Sequence, residues 1–309
     1  MSARLEVVRA GALTTVQDEG RFGHAHLGVG RAGALDAPSA RLANRLAGNP
    51  VAAALLETTA TGCAVRSSRA VRAVVGGAPC RVTVDGRPVA WGAAVHVPAG
   101  AVLDAGPAAY GLRGYLAFAG GLEPEPVLGS RSADLLSGLG PAPLNDGDVL
   151  PLGPPPPPPA GEPSSGAVPW PGVPAELVLP VLLGPRHTWF TSEALHTLTT
   201  AAYRVSPQSN RIGLRTEGPA LARARQGELP SEGMVLGAVQ VPPDGRPVVF
   251  LNDHPTTGGY PVVGVVPEPA LAAAARVVAG TPVRFVLGPG PGGAGFRCAG
   301  LLSSIAGRA

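Results

Sequence analysis

Nine consecutive residues in the C-terminal half of the chain, 253–261, combine groups that bind ligands with groups that transfer protons. They supply a carboxylate, two hydroxyls, two glycines and a phenol, from Asp253, Thr256, Thr257, Gly258, Gly259 and Tyr260. Glycine lets backbone N–H groups approach a ligand closely, and hydroxyls and carboxylates add donors and acceptors. Two interpretations fit this pattern: a hairpin loop with an anchoring tyrosine, or a loop that contacts a substrate.

Further polar groups stand at the ends of apolar segments elsewhere in the chain. They provide carboxylates, an amide, a hydroxyl and guanidinium groups, at Gln17, Asp18, Arg21, Ser130, Arg131, Arg211 and Glu232. An arginine fork suits recognition of a carboxylate or a phosphate, and the stretch 17–21 could form one wall of a polar cleft. Local ion pairs and solvated loops explain the same residues at this point.

Short strands are expected to position these groups. Apolar runs at 248–251 and 262–266 flank the segment 253–261, and similar runs occur in both halves of the chain. Glycine (44) and proline (36) make up about a quarter of the 309 residues, which favours many turns and short elements. The sequence therefore predicts a mainly β protein with a few short helices.

Helices are predicted where capping and composition favour them. Asp36 is placed to cap the start of a short helix that ends at Gly48. An alanine-rich helix is predicted at 270–279, and another short helix at 189–198. The dipeptide Asp85-Gly86, between two β-like runs, predicts a tight hairpin turn.

A proline-rich segment divides the chain into two parts. From 151 to 174, eleven of the 24 residues are proline, a composition that favours a stiff polyproline II spacer. We therefore expect an N-terminal β domain at 1–152, a linker at 153–174 and a C-terminal β domain at 175–309. A recognition site for a partner is the alternative use of such a segment.

The basic residues exclude several classes of chemistry. All 24 are arginine, so the chain contains no lysine. A Walker A loop, a Schiff-base enzyme and a biotin carrier each need a lysine side chain. No biotin is therefore expected to be attached covalently to this chain.

Other classes of protein are also disfavoured. No apolar run reaches the roughly 20 residues of a membrane span, and the N-terminus lacks the apolar core of a signal peptide. The three isolated cysteines, Cys63, Cys80 and Cys298, predict free thiols and no metal site. Without a basic run, nucleic acid is not an expected partner. We expect a cytoplasmic protein with no membrane partner.

A series of short blocks extends over residues 5–288. The blocks are Gln17 to Gly23, Gly28-Val29, Gly33 to Asp36, Ala43-Asn44, Tyr115 to Gly121, Val127 to Ser132, Asn210 to Arg215, Ser231 to Gly233, Gly237 to Pro242 and Thr256 to Pro261. In this order they resemble the allophanate hydrolase subunit 2 family, also called biotin-dependent carboxyltransferase-like, which includes the C subunits of 5-oxoprolinases.

The resemblance implies a fold of two cyclophilin-like β-barrel domains and a place in a heteromeric complex. The expected partners are the B-like and A-like subunits of a 5-oxoprolinase. The expected reaction is hydrolysis of 5-oxo-L-proline to L-glutamate, with ATP and Mg²⁺ used at the level of the complex. Within that expectation the catalytic residues are Asp253, Glu232 and Thr257. The small-molecule substrate would contact Gln17, Asp18, Arg21, Ser130, Arg131, Arg211, Gln240, Thr256, Gly258, Gly259 and Tyr260.

Two alternatives come from other branches of the family. One is a carboxyltransferase-type subunit related to urea and allophanate metabolism, which would use biotin carried by a partner. The other is a regulatory binding protein that acts on an inhibitor of a histidine kinase.

Overall fold

The computed structural model describes residues 3–155, 168–227 and 229–288, which form twenty strands and three α-helices. The strands of the first half are β1 (Arg4–Arg9), β2 (Thr14–Gln17), β3 (Leu55–Thr59), β4 (Cys63–Ser67), β5 (Val71–Gly77), β6 (Cys80–Val84), β7 (Arg87–Val89), β8 (Ala94–Val97), β9 (Val102–Ala108), β10 (Arg113–Phe118) and β11 (Val149–Pro151). Those of the second half are β12 (Leu177–Leu183), β13 (Tyr203–Val205), β14 (Gly213–Glu217), β15 (Glu232–Gly233), β16 (Ala238–Gln240), β17 (Val248–Phe250), β18 (Thr257–Gly258), β19 (Val262–Val265) and β20 (Pro282–Leu287). The helices are α1 (Ala37–Ala47), α2 (Ser192–Thr200) and α3 (Glu268–Ala274).

Two sheets make up the N-terminal domain. One has six strands in the order β11-β1-β4-β9-β6-β7, and the other has five in the order β2-β3-β10-β5-β8. Alternate side chains of both sheets enter one shared core, to which β1 contributes Leu5 and Val7 and β10 contributes Leu116 and Phe118. On the other face of β10, Tyr115 packs beneath α1.

The C-terminal domain is a closed barrel of seven strands, in the order β12-β19-β16-β17-β14-β13-β20. Val239, Val249 and Val263 belong to the barrel core, whereas Val248 and Phe250 belong to a separate apolar cluster on the outer face. A two-stranded ribbon, β15 with β18, pairs apart from the barrel. The prediction of a mainly β protein with two β domains is confirmed.

Helix α1 forms as the sequence predicts. Asp36 caps its start by accepting a hydrogen bond from the backbone N–H of Ser39, and Gly48 ends it in the left-handed conformation at φ 82°. The predicted turn at Asp85-Gly86 is also present, because Val84 pairs with Arg87 and both turn residues have positive φ. Local signals are sufficient for both features.

The other two helices are displaced from their predicted positions. Helix α2 starts three residues later than expected, because 185–189 form a separate 3₁₀ turn and Thr191 supplies the cap. Helix α3 starts two residues before the alanine-rich stretch 270–279 and ends within it, at Ala274, and Val277 beyond the helix packs into the barrel core. Within the described ranges, no helix is long and apolar enough to cross a membrane.

The hairpin interpretation of 253–261 is wrong. Strands β17 and β19 do not pair with each other; β16 lies between them and pairs with both. The segment that joins β17 to β19 therefore passes β16, and part of it, β18, forms the ribbon with β15. A crossing connection of this kind places the segment above the outer face of the barrel sheet.

Part of the proline-rich region packs on the N-terminal domain. Residues 156–167 lie outside the described residues, but Trp170 donates an indole hydrogen bond to the Gly92 carbonyl at 3.0 Å and packs against Trp91 at 5.6 Å. A Cβ atom at Gly76 would lie 1.9 Å from the Trp170 ring. Gly76 therefore provides the space that the indole occupies. The division at 153–174 remains a prediction.

Cys63 and Cys80 are free thiols, as predicted, and Cys298 lies outside the described residues. Burial raises the pKa of Cys63 to about 12 and that of Cys80 to about 11. Both thiols are therefore protonated and unreactive near neutral pH.

Candidate functional site

The first group of predicted site residues surrounds Asp18, just after β2. Its Oδ1 accepts hydrogen bonds from the hydroxyls of Ser130 and Ser132, both at 2.6 Å, and its Oδ2 accepts one from the backbone N–H of Arg131 at 2.6 Å. Gln17 joins the same group by donating from Nε2 to the Ala133 carbonyl at 3.1 Å. The structure thus brings together residues that are more than a hundred positions apart in sequence.

Arg21 completes this Asp18 cluster as a buried cation. Its Nη2 donates to the Ser132 carbonyl at 2.5 Å and its Nε to the Val127 carbonyl at 3.3 Å. Burial lowers the pKa of Arg21, and the nearby carboxylates Asp134 and Asp18 offset part of that effect. The Arg21 guanidinium holds the loop that contains Ser130, while Arg131 donates from Nε to the Pro124 carbonyl at 3.0 Å.

A second group joins the two domains. Arg211, just before β14, donates from Nε and Nη2 to the two carboxylate oxygens of Asp253, both at 2.9 Å. Its Nη1 donates to Glu57 on β3 of the N-terminal domain, and its Nη2 also reaches the Gly33 carbonyl at 2.8 Å. Asp253 in turn accepts from the backbone N–H of Leu135 at 3.1 Å. Every nitrogen of the guanidinium is therefore engaged within the protein.

The charges of this interdomain ion-pair group are stabilised by one another. Burial disfavours the Glu57 carboxylate, but Arg211 and Arg113 outweigh that cost and lower its pKa. Burial likewise disfavours the Arg211 cation, yet Glu57 and Asp253 raise its pKa above the ordinary value. The second Glu57 oxygen accepts from the Leu35 N–H at 2.8 Å and the Tyr115 hydroxyl at 3.0 Å. These shifts favour the ionised forms of Glu57 and Arg211, whereas burial raises the pKa of Asp253 and Arg211 offsets only part of that effect. The group links the domains.

The third group lies on the ribbon. Glu232 on β15 is opposite Gly258 on β18, and its carboxylate forms a two-oxygen ion pair with Arg186, whose Nε lies 3.0 and 3.1 Å from the two oxygens. Thr257 is exposed, and Gln240 below the ribbon donates weakly to the Tyr260 carbonyl at 3.4 Å. A Cβ at Gly258 would lie 3.0 Å from Gln240 Nε2, so glycine permits this close approach.

A cleft of about 340 Å³ lies between the domains, and we call it the first cleft. Asp18 and Asn252 contribute to its wall, and apolar side chains such as Leu236 line it as well. Its two arginines are paired: Arg41 with Glu19 within the N-terminal domain, and Arg31 with Glu268 across the domains at 2.6 Å. A small polar ligand can bind in this cleft by replacing one partner of one of these ion pairs.

The sequence alone did not identify several groups that the structure places at these sites. The sequence does contain a signal for Glu57, which is the one acidic residue in a strand of leucines and threonines. A charge in such a strand needs a buried partner, which marks the residue as part of an ion pair. Arg186 and Glu268 carried no comparable signal.

His254 donates from Nδ1 to the Pro255 carbonyl at 2.8 Å and stacks on Phe250, and burial lowers its pKa.

Comparison with known proteins identifies the family. The family model for the carboxyltransferase domain, subdomains A and B, matches residues 27–287. This chain belongs to that family. Among curated carboxyltransferase-family relatives, the C subunit of 5-oxoprolinase from Escherichia coli K12 is 36% identical over 285 residues, which cover 91% of this chain and 90% of the relative. Urea amidolyase of Lachancea kluyveri is 33% identical over 308 residues, covering 91% of this chain but 17% of the relative.

Solved structures of the family agree with the fold described here. The crystal structure of TTHA0988 superposes with a TM-score of 0.80 at 38% identity, covering 92% of this chain and 56% of that chain. The crystal structure of the K. lactis urea amidolyase gives a TM-score of 0.84 at 29% identity, covering 93% of this chain and 19% of that chain. This chain thus spans about half, or less, of the solved carboxyltransferase-family chains that it matches.

Proposed function

We propose that this protein is one subunit of an ATP-dependent 5-oxoprolinase complex, which hydrolyses 5-oxo-L-proline to L-glutamate. The observation that carries the proposal is the match to the C subunit of Escherichia coli 5-oxoprolinase, which extends over 91% of this chain and 90% of the relative. A match over nearly all of both sequences favours an equivalent role for the two proteins. B-like and A-like subunits complete the proposed complex.

The first cleft is the proposed binding site for the substrate. 5-Oxoproline carries one carboxylate, one lactam N–H and an apolar ring edge. Arg31 can accept the carboxylate in exchange for Glu268, because the Glu268 side chain is 61% exposed and the Arg31 side chain only 19%. Leu236 and Leu271 provide an apolar wall for the ring methylenes.

The ribbon supplies the groups proposed for proton transfer. Glu232 and Thr257 lie on adjacent strands and both reach solvent, whereas the Asp253 carboxylate is fully buried and engaged with Arg211. These ribbon residues are not among those that line the first cleft, so the proposal requires the assembled complex to bring the ribbon to the bound substrate. There we assign the proton-handling role to Glu232, and hydrogen bonding of the developing oxyanion to Thr257 and the backbone of Gly258 and Gly259. Asp253 and Arg211 act as positioning residues that fix the segment 253–261 against the N-terminal domain.

The cleft residues do not fit ATP with Mg²⁺. A triphosphate needs several uncompensated positive charges, but displacement of the exposed Glu268 would free only Arg31, while Arg41 stays paired with the less exposed Glu19. No step on this chain is therefore assigned to ATP, whose binding we attribute to one of the other subunits of the proposed complex.

Reconstitution tests the proposal. Glutamate and ADP release from 5-oxoproline and ATP would be measured for the three-subunit mixture, with this chain, without it, and with its Arg284→Gln variant as a matched control. Strict dependence on this chain, with unchanged activity in the control, supports the proposal. Equal rates without this chain, or no activity in any mixture, would overturn it.

A carboxyltransferase role is the second candidate, and the matches to urea amidolyases favour it. Because this chain has no lysine, the biotin would have to be carried by a partner. Transfer of a carboxyl group from a carboxybiotin-bearing carrier to urea, in the presence of this chain and a B-like partner protein, would support this candidate in place of the first.

A further inference from the structure

A second cleft between the domains, of about 300 Å³, contains a buried cation that its protein neighbours do not fully satisfy. The N-terminal domain lines this second cleft with Leu13, Thr59, Leu112 and Arg113, and the C-terminal domain lines it mainly with apolar side chains. Its rim includes the exposed residues Pro207, Asn210 and Ala279, so the cleft opens to solvent.

Arg113, at the start of β10, is the unsatisfied cation. The residue is 4% exposed, and its Nη1 donates to the Thr59 hydroxyl. Its Nε has no hydrogen-bond partner among the described residues, and no described residue accepts from its Nη2. The guanidinium is thus almost removed from water with only part of its donor capacity used. Burial lowers the pKa of Arg113, and the carboxylate of Glu57 offsets part of that effect.

The nearby carboxylates are already committed to Arg211. Glu57 Oε1 lies 3.9 Å from Arg113 Nε, which is too long for a hydrogen bond, and the same oxygen accepts from Arg211 Nη1. The other Glu57 oxygen is taken by the Leu35 N–H and the Tyr115 hydroxyl. Asp253 gives both of its oxygens to Arg211. Arg113 therefore shares Glu57 with Arg211 as an ion pair at 3.9 Å, and no carboxylate is hydrogen-bonded to it.

From this arrangement we propose that the second cleft binds a small organic monocarboxylate with an apolar body. The ligand carboxylate pairs with the Arg113 guanidinium, and the Thr59 hydroxyl, which accepts from Arg113, retains its own proton to donate to the same carboxylate. Leu214, Leu251 and Val277 enclose the apolar body. This site is separate from the first cleft and does not depend on the proposed function.

The unused donors and the lining favour a monocarboxylate over phosphate. Arg113 has donors without a partner among the described residues, and the two oxygens of one carboxylate can accept from a guanidinium. A phosphate dianion would bring a second charge and additional oxygens into a largely apolar cavity, where unpaired polar groups are costly. Because both domains line the cleft, the ligand would also stabilise their contact.

Titration of the full-length chain with benzoate, and separately with inorganic phosphate, tests the proposal. Affinity would be measured by calorimetry for the wild type and three variants. Arg113→Gln removes the cation, Ala279→Trp blocks the rim without changing a charge, and Arg284→Gln alters an exposed ion pair on β20 as a control. We expect Arg113→Gln and Ala279→Trp each to weaken benzoate binding by about tenfold or more, with the control unchanged and phosphate weaker than benzoate.

Three results would overturn the proposal: no benzoate binding by the wild type at about 10 mM, equal binding by the wild type and both cleft variants, or tighter binding of phosphate than of benzoate. The Ala279→Trp variant keeps the test valid if Arg113→Gln fails to fold, because Ala279 is an exposed residue on the rim. Loss of 5-oxoprolinase activity in the reconstituted complex has no bearing on this titration.

Discussion

Arg211 of the C-terminal domain forms a buried ion pair with Glu57 of the N-terminal domain, 154 positions earlier in the chain. Both side chains are essentially inaccessible to water, at 0% and 1% exposure. The same guanidinium holds Asp253, so one arginine fixes the segment 253–261 and the domain contact together. The orientation of the predicted site segment thus depends on an interdomain ion pair.

Arg211→Met is expected to destabilise the fold by about 3–5 kcal/mol, because it leaves Asp253 buried without an ion-pair partner and Glu57 with only the more distant Arg113. Glu57→Gln should cost less, since Arg211 keeps Asp253. Urea unfolding of the two variants measures both effects. Arg284→Gln, in an exposed pair with Glu176, should change stability by less than about 1 kcal/mol. Equal stability of Arg211→Met and the wild type would contradict the role of the buried pair.

The stability of the protein should fall in acid partly because of Glu57. Its folded pKa lies below the ordinary value of 4.5, so the ionised carboxylate stabilises the fold above that value. The contribution is lost as the pH falls through the lower, folded pKa, where Glu57 takes up a proton. Thermal midpoints measured from neutral pH to about pH 3 should therefore fall less steeply for Glu57→Gln than for the wild type. Parallel curves would argue against this assignment.

Substitutions on the two sides of the Arg31–Glu268 pair should change the KM for 5-oxoproline in opposite directions. Arg31→Gln removes the proposed carboxylate anchor and should raise KM by about tenfold. Glu268→Gln removes the competing carboxylate and should lower KM. If the pair served only to hold the domains together, both variants would move KM the same way. Steady-state kinetics of the reconstituted complex distinguishes these outcomes.

Glu232→Gln should lower kcat by about a hundredfold or more with little change in KM, because the amide cannot accept a proton. The substitution preserves the size of the side chain, and the β15–β18 pairing involves backbone atoms. Arg186→Gln serves as the matched control, since it breaks the ion pair and leaves the carboxylate in place. A normal kcat in Glu232→Gln would exclude Glu232 as the proton-handling residue.

Gly76 and Trp170 should behave as an energetically coupled pair. Trp170→Ala is expected to cost about 2 kcal/mol through lost burial, and Gly76→Ala to cost a similar amount by displacing the indole. In the Trp170→Ala background, Gly76→Ala should cost little, because the space is then open. Unfolding free energies for the four members of this double-mutant cycle provide the measurement. Strictly additive costs would show that the two residues do not interact.

Local sequence signals predicted the features that depend on neighbours in the chain. Helix α1 needed its cap at Asp36 and the glycine at Gly48, and the turn at Asp85-Gly86 needed residues that tolerate positive φ. Helix α3 illustrates where such signals fail. Its alanine-rich sequence favours a longer helix, but the helix ends at Ala274 and Val277 lies beyond it in the barrel core.

The sequence by itself determined the mainly β class, the types of group available for chemistry and, through the absence of lysine, the reactions that this chain does not perform with its own side chains. The tertiary structure decided which of those groups meet. Asp18 contacts Ser130, which is 112 positions away in the sequence, and Arg211 contacts Glu57, which is 154 positions away. Such contacts depend on strand order and burial, because a buried charge must find a partner wherever the fold brings one close. The partner of a buried charge is chosen by spatial proximity, so a local sequence pattern does not predict which residue it is.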